Sequence, residues 1–272
     1  MISRDMIEQY VWWLTILGQA TLLVRLWVIG LHRIYRCFAA YLLFAVVRDL
    51  FLLGLPWALR LLEGRPNRPF ANNAYAYFWL ATEPMAWVFY VLVVLELYSL
   101  ILQNYKGIAS LGRWVLLAGL ATAVIISVMT LSADLSGAPD RSPLLRHMLV
   151  IDRGVVSSLV IFLLFISFFL AWYPVPLNRN VVVHSIVYAG YFLSMALVVL
   201  LRNVVGSGVT QTVNILASCV TVVCLLVWIR FLTLAGETVK VRMRPQFAAD
   251  QEQALVDHLS AINSTLLRAS RK

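Results

Sequence analysis

Along most of this chain the apolar positions come in long unbroken runs, with neither strand-like alternation nor a simple amphipathic stripe. Four of these runs, Trp114–Ala133, Gly154–Trp172, Val181–Leu201 and Val209–Ile229, contain no Asp, Glu, Lys or Arg. A helix crossing a hydrocarbon core of about 30 Å needs roughly 20 mostly apolar residues, so each run is long enough to span. Three further runs carry internal charge: Tyr10–Leu31 with Arg25, Ile34–Trp57 with Arg48 and Asp49, and Ala74–Leu102 with Glu83 and Glu96. Their apolar content is too high for a soluble domain, and they bring the count to seven. The pattern predicts an all-α, polytopic transmembrane bundle of seven helices over residues 1–235.

The segments between the runs refine this picture. Turns near His32, Lys106, Pro174–Arg179 and Asn203–Gly208 are short, and only Leu61–Asn73 and Ser132–Leu145 are longer. A compact bundle without an inserted domain follows, and no internal repeat of the kind seen in many transporters stands out. Residues 236–272 open on Thr238–Arg244, where apolar and basic residues alternate until Pro245. Asp250 can then cap a helix whose Leu255, Leu259, Ile262 and Leu266 recur at helical spacing. This amphipathic cytoplasmic helix is expected either to lie on the inner leaflet, aided by Lys240, Arg242 and Arg244, or to dock a protein partner.

Composition agrees with a bilayer environment: 61% of the 272 residues are hydrophobic and 13% charged, against about a quarter charged in soluble domains. The net charge of +9 is spread singly between apolar runs, with no basic arm, so no nucleic-acid partner is expected. The basic residues act instead as topology signals. With the N-terminus outside, the cytoplasmic side gathers Arg33, Arg36, Lys106, Arg113, Arg179, Arg230 and the cluster Lys240, Arg242 and Arg244. Arg4, Asp5 and Glu8 do not make the positive start of a signal peptide, so the first helix is expected to be retained. Cys37, Cys219 and Cys224 fall inside apolar runs, with neither disulfide nor zinc spacing.

Ionisable groups within spans are costly, and usually face the bundle or a water-filled cavity. Depth counting at about 1.5 Å per residue brings Arg48, Asp49, Glu83, Asp152 and Arg153 to the outer half. Trp79 and Trp87 flank Glu83 four residues to either side, and Pro84 follows it. His184, Tyr188 and Tyr191 form a polar stripe on the sixth run, and Gln211, Asn214, Ser218 and Thr221 form one on the seventh. Two readings stand side by side. These residues line an outward-opening pocket, or they are ion pairs that fix helix packing. In the inner half, Arg25 and Arg230 are near enough to the surface to snorkel. Glu96 lies near the inner end and points away from Glu83.

The chemistry that is missing narrows the function. There is no H-E-x-x-H, P-loop or dinucleotide fingerprint, and Gly206-Ser207-Gly208 reads as a tight turn. Retinal is excluded because Lys106, Lys240 and Lys272 all fall outside the spans. His32 and His184 are weak candidates for haem, so no cofactor is expected. The stretch Ile34–Leu53, IYRCFAAYLLFAVVRDLFLL, is similar to uncharacterised seven-helix proteins of bacteria, and the hydropathy pattern extends that resemblance over most of the chain. The resemblance implies a bacterial inner-membrane protein and supplies no activity. The expected function is a non-enzymatic sensor or binding module for a small extracytoplasmic ligand. A solute or proton-coupled transporter and a structural subunit of a membrane complex are the alternatives.

Overall fold

The computed structural model describes residues 4–63, 68–103, 105–134, 143–172, 177–205, 210–241 and 249–269. The expected turn at Gly206–Gly208, the Pro174 turn, most of the Ser132–Leu145 connection and the basic pair Arg242 and Arg244 lie outside the described residues. The fold is all-α. Its helices are α1 (Arg4–Ile29), α2 (Arg36–Glu63), α3 (Arg68–Ile101), α4 (Lys106–Asp134), α5 (Pro143–Trp172), α6 (Arg179–Val205), α7 (Thr210–Phe231) and α8 (Ala249–Ala269). Five stretches are long and apolar enough to cross a membrane: Met6–Ile29, Arg36–Leu55, Ala74–Ile101, Arg179–Val198 and Thr212–Phe231. They lie in α1, α2, α3, α6 and α7. In α5 the described apolar stretch is the shorter Gly154–Leu164.

The helices close into a ring. α1 packs between α2 and α7, α6 joins α7 to α5, and α3 reaches from α2 across to α5 and α6. α4 lies outside this ring against α5, and α8 packs on α4. Large apolar side chains such as Leu17, Val24, Trp27, Val28 and Trp114 stay exposed on the outer faces. In water so much exposed apolar surface would drive association, whereas hydrocarbon accommodates it.

A buried apolar cluster fills one end of the bundle, the α8 end. Leu22 and Leu26 of α1, Phe38 and Leu42 of α2, Val94 and Leu97 of α3, Leu225 and Trp228 of α7, and Leu259 of α8 share one buried cluster. Polar groups stitch this end together. Gly30 closes α1 at φ 83°, a left-handed conformation that costs glycine little. The Glu96 carboxylate accepts from the amides of Cys37 (2.9 Å) and Phe38 (3.1 Å), and so caps the first turn of α2. Those amides have no carbonyl partner inside the helix, and an anion there also meets the positive end of the helix dipole.

A second stitch joins the start of α6 to the chain after α7. Short strands β1 (Leu177–Asn178) and β2 (Lys240–Val241) pair antiparallel. Beside them Glu237 accepts from Tyr35 Oη (2.7 Å), Asn180 Nδ2 (2.6 Å) and Asn178 Nδ2 (3.2 Å). Asn180 also donates to the Thr233 carbonyl at 2.7 Å. Leu234–Glu237 form a 3₁₀ turn beside this polar knot.

In α8 the expected apolar face is partly used. Leu259 is buried, Leu255 and Leu266 are half-buried, and Ile262 is exposed. Asn263 Oδ1 accepts from the Gly107 amide at 2.7 Å, capping the start of α4. A Cβ on Gly107 would lie 2.6 Å from the Asn263 carbonyl oxygen, so only glycine permits this approach.

Candidate functional site

The opposite end of the ring holds a cavity of about 910 Å³. This is within the ordinary range for small-molecule sites. Six helices build its wall, most of them through residues at helical spacing. α3 supplies Tyr75, Trp79, Glu83 and Tyr90, and α5 supplies Asp152 and Val156. α6 supplies Tyr191, Phe192, Met195 and Val198, while α7 supplies Asn214, Ala217 and Ser218. Leu52 and Leu53 come from α2, and Glu8, Gln9 and Trp12 from α1.

The charged part of the wall is tied together. Arg48 Nη2 of α2 donates to Glu83 Oε2 of α3, with the two side chains 13% and 10% exposed. Two charges so far from water are tolerable only as a pair, since either one alone would keep its full desolvation cost. Among the described residues Arg48 Nε has no hydrogen-bond partner. Asp49 lies beside Arg48 and Gln19 and is not part of the cavity wall. Trp87, one turn beyond Glu83, donates its indole N–H to Asp152 Oδ1 at 2.9 Å and thereby links α3 to α5. α3 runs unbroken through Pro84, where the ring nitrogen cannot serve the Leu80 carbonyl. Thr82 Oγ1 donates to the nearby Phe78 and Trp79 carbonyls at 3.0 and 3.1 Å.

Two turns along α3 from Glu83 the wall turns aromatic. The Tyr90 and Tyr191 hydroxyls lie 3.5 Å apart, and the Tyr41 ring centroid lies 5.4 Å from that of Tyr90. One turn further along α6, Tyr188 leaves the wall altogether. It packs against Phe38, His184 and Trp228 in the closed half of the bundle.

The expected site residues therefore fall into groups. Trp79, Glu83, Asp152, Tyr191 and Asn214 line the cavity, and Arg48 and Trp87 reach it through their bonds to Glu83 and Asp152. Asp49 and Tyr188 stand apart from it. Arg153 lies on α5 and Gln211 on α7, with side chains outside the described residues. Sequence reasoning missed the contribution of α1. The Glu8–Trp12 pair, spaced for one helix face, was the available signal. Tyr75 was equally legible, four residues before Trp79 on the Glu83 face.

Among the described residues no group of three or more His, Cys, Asp and Glu side chains is placed to hold a metal ion. His32 stacks on Trp27, with ring centroids 4.5 Å apart, while His184 is buried against Tyr35 and Phe38. The arrangement can enclose a small polar or aromatic molecule, offering carboxylates, phenol hydroxyls, an amide and indole faces. No protein-family model, curated protein or solved structure matches this chain.

Proposed function

We propose that the chain is a seven-span membrane protein that binds a small ligand in the cavity and performs no catalysis. In this reading α1 to α7 all cross the bilayer, with the N-terminus outside and the C-terminus in the cytoplasm of a bacterial inner membrane. α4 and α5, at 29 and 30 residues, have the length for it. The cavity then opens outward, and α8 sits on the cytoplasmic side as the output element.

One observation carries the reading: six helices converge on a sizeable cavity whose wall sets Glu83, paired with Arg48 behind it, among indole and phenol rings. Packing alone would be served more cheaply by apolar side chains. Two features favour binding over transport. Beyond the cavity the bundle is closed by a buried cluster of apolar and aromatic side chains, and Glu96 is engaged as a helix cap. The inward-facing Arg48 and Glu83 favour it over a subunit whose intramembrane charges meet partner helices. Signalling follows if the ligand binds two arrangements of the ring with different affinity.

Screening small polar and aromatic solutes by thermal shift on detergent-purified protein tests this. A true ligand at about 100 times its Kd stabilises the native state by about 2.7 kcal/mol. Its shift should be lost in Asn214→Leu and Trp79→Ala. Shifts that are identical in wild type and in both variants would place binding elsewhere and end this reading.

A further inference from the structure

One turn beyond the cavity floor, α2, α6 and α7 bury a second polar cluster. His184, Tyr188 and Trp228 are 1%, 2% and 4% exposed. Their ring centroids are mutually close: 5.8 Å from His184 to Tyr188, 5.9 Å from His184 to Trp228, and 4.9 Å from Tyr188 to Trp228. Phe38 packs against all three rings. Yet among the described residues His184 Nε2, Tyr188 Oη and Trp228 Nε1 have no hydrogen-bond partner.

Buried polar atoms are almost always bonded, because each unmet one keeps its full desolvation cost. Isolated exceptions occur in folded proteins. Three in one aromatic cluster, on side chains this deeply buried, form a pattern that needs a common partner. We propose that His184, Tyr188 and Trp228 enclose an internal hydration site, occupied by water bridging the three side chains.

The donor set selects the guest. Indole Nε1–H can only donate, so the guest needs a lone pair directed at Trp228. A metal cation has none, and an apolar guest would leave all three atoms unmet. The hydroxyl of Tyr188 gives or takes, and neutral imidazole offers one donor and one acceptor nitrogen. A water molecule accepts from the indole and donates to the imidazole or the phenol. Two to four polar partners are what an internal water needs.

The location gives the site a role. Phe192 lines the cavity and stacks on Tyr188, with centroids 5.8 Å apart. On the other side the Tyr35 ring lies 4.6 Å from His184, and its hydroxyl is bonded to Glu237 in the polar knot. The hydration site thus joins the ligand-cavity floor to the α8 end through one aromatic column. Its existence does not depend on what the cavity binds.

Two measurements on the full chain in detergent test it. Tyr188→Phe removes one oxygen at nearly constant volume. If the hydroxyl is bonded to water, the unfolding temperature falls by about 2 °C or more. A temperature that stays level or rises identifies the hydroxyl as truly unmet and overturns the proposal. Radiolytic hydroxyl-radical labelling reads the water directly. Tyr188, 2% exposed, should be modified well above Tyr98, which is 6% exposed and whose hydroxyl is bonded to the Ile108 carbonyl at 2.8 Å. Labelling of Tyr188 no faster than Tyr98 also overturns the proposal, whatever the thermal result.

Discussion

Glu83 and Glu96 show how one residue type in one helix can serve opposite ends. They are 13 positions apart on α3 and turn away from each other. Glu96 meets the free amides that open α2, and Glu83 meets the Arg48 guanidinium. Sequence flagged both as costly groups inside an apolar run. It gave no partner for Glu96, because backbone amides at a helix start leave no side-chain signature. Arg48 was legible as a partner for Glu83, since the two reach one level from opposite directions. Arg48→Ala should cost about 3–5 kcal/mol of stability by stranding a buried carboxylate. Replacing both, with Arg48→Met and Glu83→Leu, should cost much less. Reversible unfolding of the two variants measures this. Equal losses would mean that a stranded carboxylate is not what makes Arg48→Ala costly.

At the scale of elements, α8 departs most from what periodicity alone suggests. Its apolar positions predict a helix lying on lipid or on a partner, and the spacing of Leu255, Leu259, Ile262 and Leu266 is helical as expected. The structure seats this helix on α4 through Gly107, where backbone approaches backbone. No sequence pattern announces such a contact, because a lone glycine at a helix start reads as an ordinary turn residue. Gly107→Leu should lift α8 off while leaving the bundle folded. Hydrogen exchange would then rise across 249–269 and stay unchanged in α6 and α7. Unchanged protection in α8 would show that the Gly107 contact does not hold it.

For the whole molecule, the all-α class was legible from the unbroken apolar runs, and the convergence of Arg48, Glu83 and Asp152 on one end of the ring from depth counting. The ring order was not legible: α1 sits beside α7, bringing Glu8 and Trp12 to the cavity, and only tertiary packing decides that. The tight apposition of Asn180, Thr233 and Glu237 was hidden for the same reason, since more than 50 residues separate the partners. In the proposed reading the ring encloses a water-accessible binding chamber reached from the side of the N-terminus. The most direct measurement is the labelling rate of Ser218→Cys, in a chain with Cys37, Cys219 and Cys224 replaced by Ala, using a membrane-impermeant thiol reagent on sealed cells. Labelling from outside should be rapid, and any ligand that stabilises the protein should slow it. A cysteine at 218 that reacts only after the membrane is opened, or not at all, would contradict it.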